Sequence, residues 1–144
     1  MQQEQPLKQS RIQVESDLNT ISEVLPWFEQ FSAPVLPQQF CWQCQIALIE
    51  GFTNAVRHAH QHLPQTTTID LELKLFAHCL EIRIWDQGKP FDLQAKLESL
   101  FQEDCDPLEK EGGRGLMFIK QLTDEMSYQR LSDKRNCLLM RKLR

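Results

Sequence analysis

Along "TIDLELKLF" the apolar residues Ile69, Leu71, Leu73 and Leu75 alternate without exception against Thr68, Asp70, Glu72 and Lys74. A period of two sends the two sets to opposite faces of a strand, so one face meets a core and the other meets water. "CLEIRIWD" repeats the code with Leu80, Ile82 and Ile84 inward, and the short "FAH" between the runs predicts a hairpin. A briefer alternation in "RIQVES" predicts a first strand at a sheet edge, preceded by a flexible tail over residues 1–10. "EMSYQR" and "NCLLMRKL" read as a closing pair of strands.

Helical periods separate these strands. Leu18, Ile21, Leu25 and Phe28 recur at steps of three and four behind a capping Ser16 or Asp17, with Pro26 predicting a kink or an early end. After the linker "SAPVLPQQ", the longest pattern runs from about Pro37 to Ala59, with Cys41, Cys44, Leu48, Phe52, Ala55 and Ala59 on one line. Its apolar face is wide enough to lie against a sheet. Residues 87–111 carry acids, a proline and one weak helical segment, a length that predicts a functional lid. "GRGLMFIKQLTD" then opens a last helix.

Composition narrows the classes. The 144 residues fit one domain, and a formal charge of −4 without a basic stripe argues against nucleic acid as partner. No apolar leader opens the chain and no apolar run is long enough to cross a membrane, so a cytoplasmic protein is expected. Five cysteines form no secreted disulfide framework, and the pair in "CWQC" falls on the apolar line of the long helix, where core thiols are expected.

The candidate chemistry lies in three stretches. The long helix plants Glu50, Asn54 and His58 at intervals of four, with Arg57 alongside, and residues four apart are neighbours on a helix. An acid that can take a proton, an amide oxygen that can ligate Mg²⁺ and basic groups near phosphate form a workable set for phosphoryl transfer. Asp86 shares the parity of Leu80, Ile82 and Ile84, so its carboxylate should point to the helix-covered side, where an exocyclic amine such as that of adenine can donate to it. In "EGGRGLMF" three glycines lead into an apolar helix, a pattern that would offer backbone N–H groups to phosphate at a helix start. Only five glycines occur in the chain, at 51, 88, 112, 113 and 115, all in or beside these stretches.

Together the stretches Glu50-x-x-x-Asn54-Ala55 with His58, Asp86-x-Gly88 followed by Phe91, and Gly113-x-Gly115-Leu116 resemble the N, G1 and G2 boxes of the ATPase superfamily of gyrase B, Hsp90, histidine kinases and MutL. Within it the chain is similar to the anti-sigma factor serine/threonine kinases of bacterial partner-switching systems. The resemblance implies an α/β (α+β) two-layer sandwich, the Bergerat ATP-binding fold, with a mixed, mostly antiparallel sheet covered on one face by helices over residues 11–144. It implies ATP and Mg²⁺ as cofactors, Glu50 as general base and Asn54 as the Mg²⁺ ligand. Arg57 and His58 would lie near the phosphates, Asp86, Gly88 and Phe91 around the base, and Gly113, Arg114, Gly115 and Leu116 along the phosphates. The implied partners are a sigma factor and an anti-anti-sigma (STAS-domain) protein, and the edge strand invites a homodimer. Two alternatives stay open: a non-catalytic ATP- or ADP-binding module, and a stand-alone histidine-kinase-type catalytic domain.

Overall fold

The computed structural model describes residues 4–100 and 107–144, with side chains throughout except at 99–100 and 107–114. Five strands, β1 (Lys8–Glu15), β2 (Thr68–Leu75), β3 (Cys79–Asp86), β4 (Glu125–Arg130) and β5 (Asn136–Leu143), form one sheet in the order β1-β2-β3-β5-β4. Four helices accompany it: α1 (Ile21–Ser32), α2 (Gln38–Asn54), α3 (Leu93–Leu100) and α4 (Pro107–Leu122). The two-layer α+β architecture is the one expected, but every strand pairing among the described residues is antiparallel rather than mixed. Two helices between β1 and β2 return the chain so that β2 runs opposite to its neighbour.

The inward parity of the strands supplies one wall of the core. Ile69, Leu71, Leu73, Leu80, Ile82, Ile84, Leu138 and Met140 are buried against Val24 and Phe28 of α1 and Leu48 and Phe52 of α2. Each such side chain contributes about 1.5–3 kcal/mol by leaving water. A glycine brings α2 close to the sheet: a Cβ at Gly51 would stand 2.7 Å from Ile84 Cδ1 and 3.3 Å from Leu138 Cδ2 and Met140 Cε. The outward face carries ion pairs instead. Arg83 and Arg141 grip Glu81 at 2.7 and 2.6 Å, while Trp85 lies between the guanidinium groups of Arg11 and Arg135 at 4.8 and 5.7 Å.

Three boundaries differ from expectation. β1 begins at Lys8, inside the stretch read as tail, because Lys8 Nζ donates to Phe31 O at 2.7 Å and Trp27 Nε1 donates to Ser10 Oγ at 2.9 Å. α1 continues past Pro26 to Ser32, since the proline removes one ladder bond while Val24, Phe28 and Phe31 bury a common face. α4 starts at Pro107, a residue suited to a first helical turn, so the glycines at 112, 113 and 115 lie inside a helix and not at its N-terminus. Of the stretch 87–111 read as a lid, α3 occupies Leu93–Leu100 and the start of α4 the part from Pro107, and residues 101–106 lie outside the described residues.

Candidate functional site

α2 does not end at Asn54 as an α-helix would. It passes into a π-helical segment, Ala55–Ala59, closed by the bond from His60 N–H to Ala55 O at 2.9 Å. Buried positions along α2 follow the α period at Cys44, Ala47, Leu48, Gly51, Phe52 and Ala55, and the next buried residue is His60, five further on. An unbroken α-helix would have turned Ala59 inward and kept His58 on the row of Glu50 and Asn54, as the sequence pattern implied. The wider π turn instead leaves His58 exposed and off the row that Glu50 and Asn54 share, and brings His60 to the sheet.

His60 meets the segment after β3. The Gln87 N–H donates to His60 Nε2 at 2.7 Å, so Nδ1 carries the proton, buried and without a hydrogen-bond partner. One residue on, the contact is closer still: a Cβ at Gly88 would fall 2.0 Å from Ala59 O. Only a residue without a side chain lets the turn close against the end of the π segment.

Asp86 is buried at 4 % exposure, with the inward parity expected of it. Its Oδ1 accepts from Gly88 N–H at 2.9 Å and from Asn136 Nδ2 at 2.8 Å, and Asn136, fully buried, also donates to Gly88 O at 2.8 Å. Arg130 Nη1 donates to the same Gly88 carbonyl at 3.1 Å and to Asn136 Oδ1 at 3.3 Å. The Oδ2 atom has one long contact, the Tyr128 hydroxyl at 3.3 Å. Burial, and then the carboxylate beside it, push the Tyr128 phenol above its ordinary range, so it stays a donor. Its ring stacks on Phe91 with centroids 4.3 Å apart, and the pair lines a cavity of about 630 Å³ walled also by Leu93, Leu97, Lys120 and Met126.

Nine residues before Ala59, α2 meets the glycine segment through Glu50. A Cβ at Gly115 would stand 2.7 Å from Glu50 Oε2, so the half-buried carboxylate lies directly on α4, with Leu116 beside it turned into the core. Thus one helix and its π extension touch both remaining stretches, Glu50 meeting Gly115 and Ala59 with His60 meeting Gln87 and Gly88. The Glu50 and Ala59 contacts are roughly 13 Å apart along the axis. Asn54 lies between them, half-buried, with Arg57 and His58 exposed beyond it. Partial burial of the His58 ring, then Lys96 of α3 and Arg57, depress its imidazole below the ordinary value of 6.5. Gly113 and Arg114 belong to α4, and nothing further of them lies within the described side chains.

The family model for the histidine kinase-like ATPase domain matches residues 14–142. The chain belongs to that family. It is also similar to proteins named serine-protein kinase RsbW: 38% identical over 87 residues in Staphylococcus epidermidis, 58% of this chain and 54% of the relative. In Bacillus licheniformis the identity is 37% over 89 residues, 59% and 55% of the two chains. In Halalkalibacterium halodurans it is 39% over 85 residues, 57% and 51%. The chain spans about half the length of the curated relatives it matches.

The residues fit the nucleotide and cation that the family implies. Asp86 offers a buried acceptor whose Oδ2 has, among the described residues, one long partner, Asn54 a half-buried amide, and Glu50 a carboxylate one turn earlier on the same helix. Sequence reasoning had no sight of His60, Tyr128, Arg130 and Asn136. The signal for Asn136 was its place opposite Asp86 in the ladder, which needs β5 to be placed next to β3.

Proposed function

We propose that this chain is an ATP- and Mg²⁺-dependent serine/threonine protein kinase of the anti-sigma type, which phosphorylates an anti-anti-sigma (STAS-domain) protein and in its other state binds a sigma factor. The observation that carries the reading is the convergence on α2: Glu50 lies against Gly115, and Ala59 and His60 lie against the Asp86 to Gly88 turn. ATP supplies the phosphoryl group and Mg²⁺ neutralises charge as it transfers. Asp86 Oδ2 accepts from the exocyclic amine of the base, while Gly88 and Phe91 shape the space around it. Asn54 holds the cation, and Arg57 adds positive charge on the phosphate side, with the neutral imidazole of His58 beside it. Glu50 accepts the proton of the attacking serine hydroxyl.

Phosphate needs donors from Gly113, Arg114 and Gly115, whose N–H groups are committed inside α4. Glycine costs a helix about 1 kcal/mol per residue, so the three at 112, 113 and 115 make the middle of α4 the part that unwinds at least cost to release those donors. A cytoplasmic setting suits the free thiols of Cys41, Cys44, Cys79 and Cys137. The outer edge of β1 is where we place a second copy of the chain, and a monomer mass by light scattering at micromolar concentration would remove that part.

Transfer of labelled phosphate from ATP to a purified STAS-domain partner tests the reading. Glu50→Ala should abolish transfer while ATP still binds, and Asp86→Asn should abolish binding. Transfer at the parental rate by Glu50→Ala would refute the assigned base. A second reading, in which nucleotide is held but not transferred, is favoured by the contact of Gly115 with the Glu50 carboxylate. It predicts nucleotide-dependent partner capture with no labelled partner.

A further inference from the structure

We propose that His60, a residue outside the three motifs, is a positioning residue for the nucleotide, holding the Asp86 to Gly88 turn in shape only while its imidazole is neutral. The inference rests on the nucleotide-site reading above and adds a condition to it.

The Gln87 amide sits between the two residues that would meet the base, and its N–H is fixed by His60 Nε2 at 2.7 Å. Turn and imidazole cannot move apart independently. Gly88 is pressed on Ala59 O, so any displacement of residue 60 is passed to residue 88 through backbone. Opposite them Asn136 and Arg130 hold Gly88 O and Asp86 Oδ1 from the β5 and β4 side. The turn is therefore clamped between two sets of side chains, and His60 is the clamp from the helix layer that titrates.

Protonation removes the lone pair that receives the amide. An Nε2–H would then confront the Gln87 N–H at a separation that suits an accepted bond, and the two donors must part. The charged group facing the ring from the sheet is Asp86, which favours the protonated form. Burial disfavours it more strongly, and the net direction is below the ordinary 6.5. Arg130 of β4 reaches the far side of the same turn, Lys89 follows it, and Arg57, His58 and His62 precede or follow His60 on its own segment. Because the folded-state value is depressed, the clamp is complete above the unfolded-state value and is lost as pH falls through the lower folded one.

The test uses the full chain with ATP and Mg²⁺, titrated by calorimetry from about pH 8 to about pH 5, the range in which histidine changes charge. His60→Gln places an amide oxygen that can accept the Gln87 N–H and does not titrate, whereas His60→Phe keeps a ring and removes the acceptor. At pH 8 His60→Phe should bind about tenfold more weakly and His60→Gln should recover most of that loss. As pH falls, the parent should lose affinity relative to His60→Gln by about tenfold, a ratio from which the titration of ATP itself and of His58 cancels. Without nucleotide, the Gln87 amide shift in ¹H–¹⁵N spectra should titrate in the parent and stay flat in His60→Gln. Should His60→Phe not fold, the comparison of parent with His60→Gln still decides. Parallel pH profiles for those two proteins, with Asp86→Asn abolishing binding, would overturn the role of His60 and leave the site standing. Parental ATP affinity in Asp86→Asn would overturn both.

Discussion

Gly88→Ala places a methyl group where the structure has none to spare. The new Cβ would stand 2.0 Å from Ala59 O, 2.6 Å from Ala59 C and 2.9 Å from Ala59 Cα. An ordinary carbon–oxygen contact is near 3.3 Å, so the overlap exceeds about 1 Å and falls on backbone, which cannot swing aside as a side-chain tip can. Either the turn or the end of the π segment must retreat by that amount. Retreat of the turn distorts the bonds from Asn136 Nδ2 and Arg130 to Gly88 O, and retreat of either side stretches that from Gln87 N–H to His60. Overpacking typically costs 1–3 kcal/mol, and one weakened buried hydrogen bond adds about 1, so we expect a loss of about 3 kcal/mol. For a chain of this size that is a fall in Tm of roughly 6–12 °C, read by circular dichroism, with ATP affinity at least tenfold weaker in the same preparation. A Tm within about 2 °C of the parent, with parental ATP affinity, would show that Gly88 and Ala59 are not in the contact described.

Two further outcomes follow from named contacts. Gly115→Ala should raise Tm by a few degrees or leave it unchanged, since alanine favours a helix by about 1 kcal/mol. It should also cut phosphotransfer by about 100-fold, because its Cβ stands 2.7 Å from Glu50 Oε2 and turns that flexible carboxylate away. Parental transfer would remove Glu50 from the chemistry. Glu81→Gln should lower stability by about 2 kcal/mol at neutral pH in urea unfolding, since Arg83 and Arg141 both donate to the carboxylate. Burial pushes the Glu81 carboxyl up, but Arg141 and Arg83 together hold it below its ordinary 4.5, so the difference between parent and variant should close as pH falls below 4.5 through the lower folded-state value. A gap that persists at lower pH would rule out the charge as its source.

The sheet was legible wherever one face is wet and the other dry. The alternations of β2 and β3 are unbroken, and the short "FAH" link left a hairpin as the simplest connection, which the register of Leu75 with Leu80 confirms. The parity that carried Asp86 inward is the same signal extended by one residue. Strand order was less accessible, because nothing in "EMSYQR" or "NCLLMRKL" states that β5 inserts between β3 and β4. Without that order Asn136, Tyr128 and Arg130 could not be placed around Asp86. The π turn was invisible for a different reason: Ala55, Val56 and Ala59 satisfy an α period as well as a wider one, and the choice is made by Gly88 and Gln87 packing from a distant segment. At "GGRGL" the local signal pointed to a helix start, whereas the helix reaches back to Pro107, against the propensity of its glycines.

That last disagreement bears on the proposed kinase reading. In the described arrangement α4 is helical through the glycines and lies on Glu50, so the carboxylate proposed as the base touches the same segment whose N–H groups phosphate would need. The two conditions are mutually exclusive at residues 113–115: a backbone amide that closes a helical bond cannot also bind phosphate. On the proposed reading, a triphosphate held at those amides would unwind part of α4 and release its contact with Glu50 in one step, with the weak glycine turns setting a cost of a few kcal/mol. A surface that includes α4 would then differ between the two states without any movement of the sheet. Substituting Gly112 or Gly113 by alanine biases the balance toward the helix, and the sign of its effect on ATP affinity follows: weaker binding, by about fivefold for about 1 kcal/mol of added helix stability.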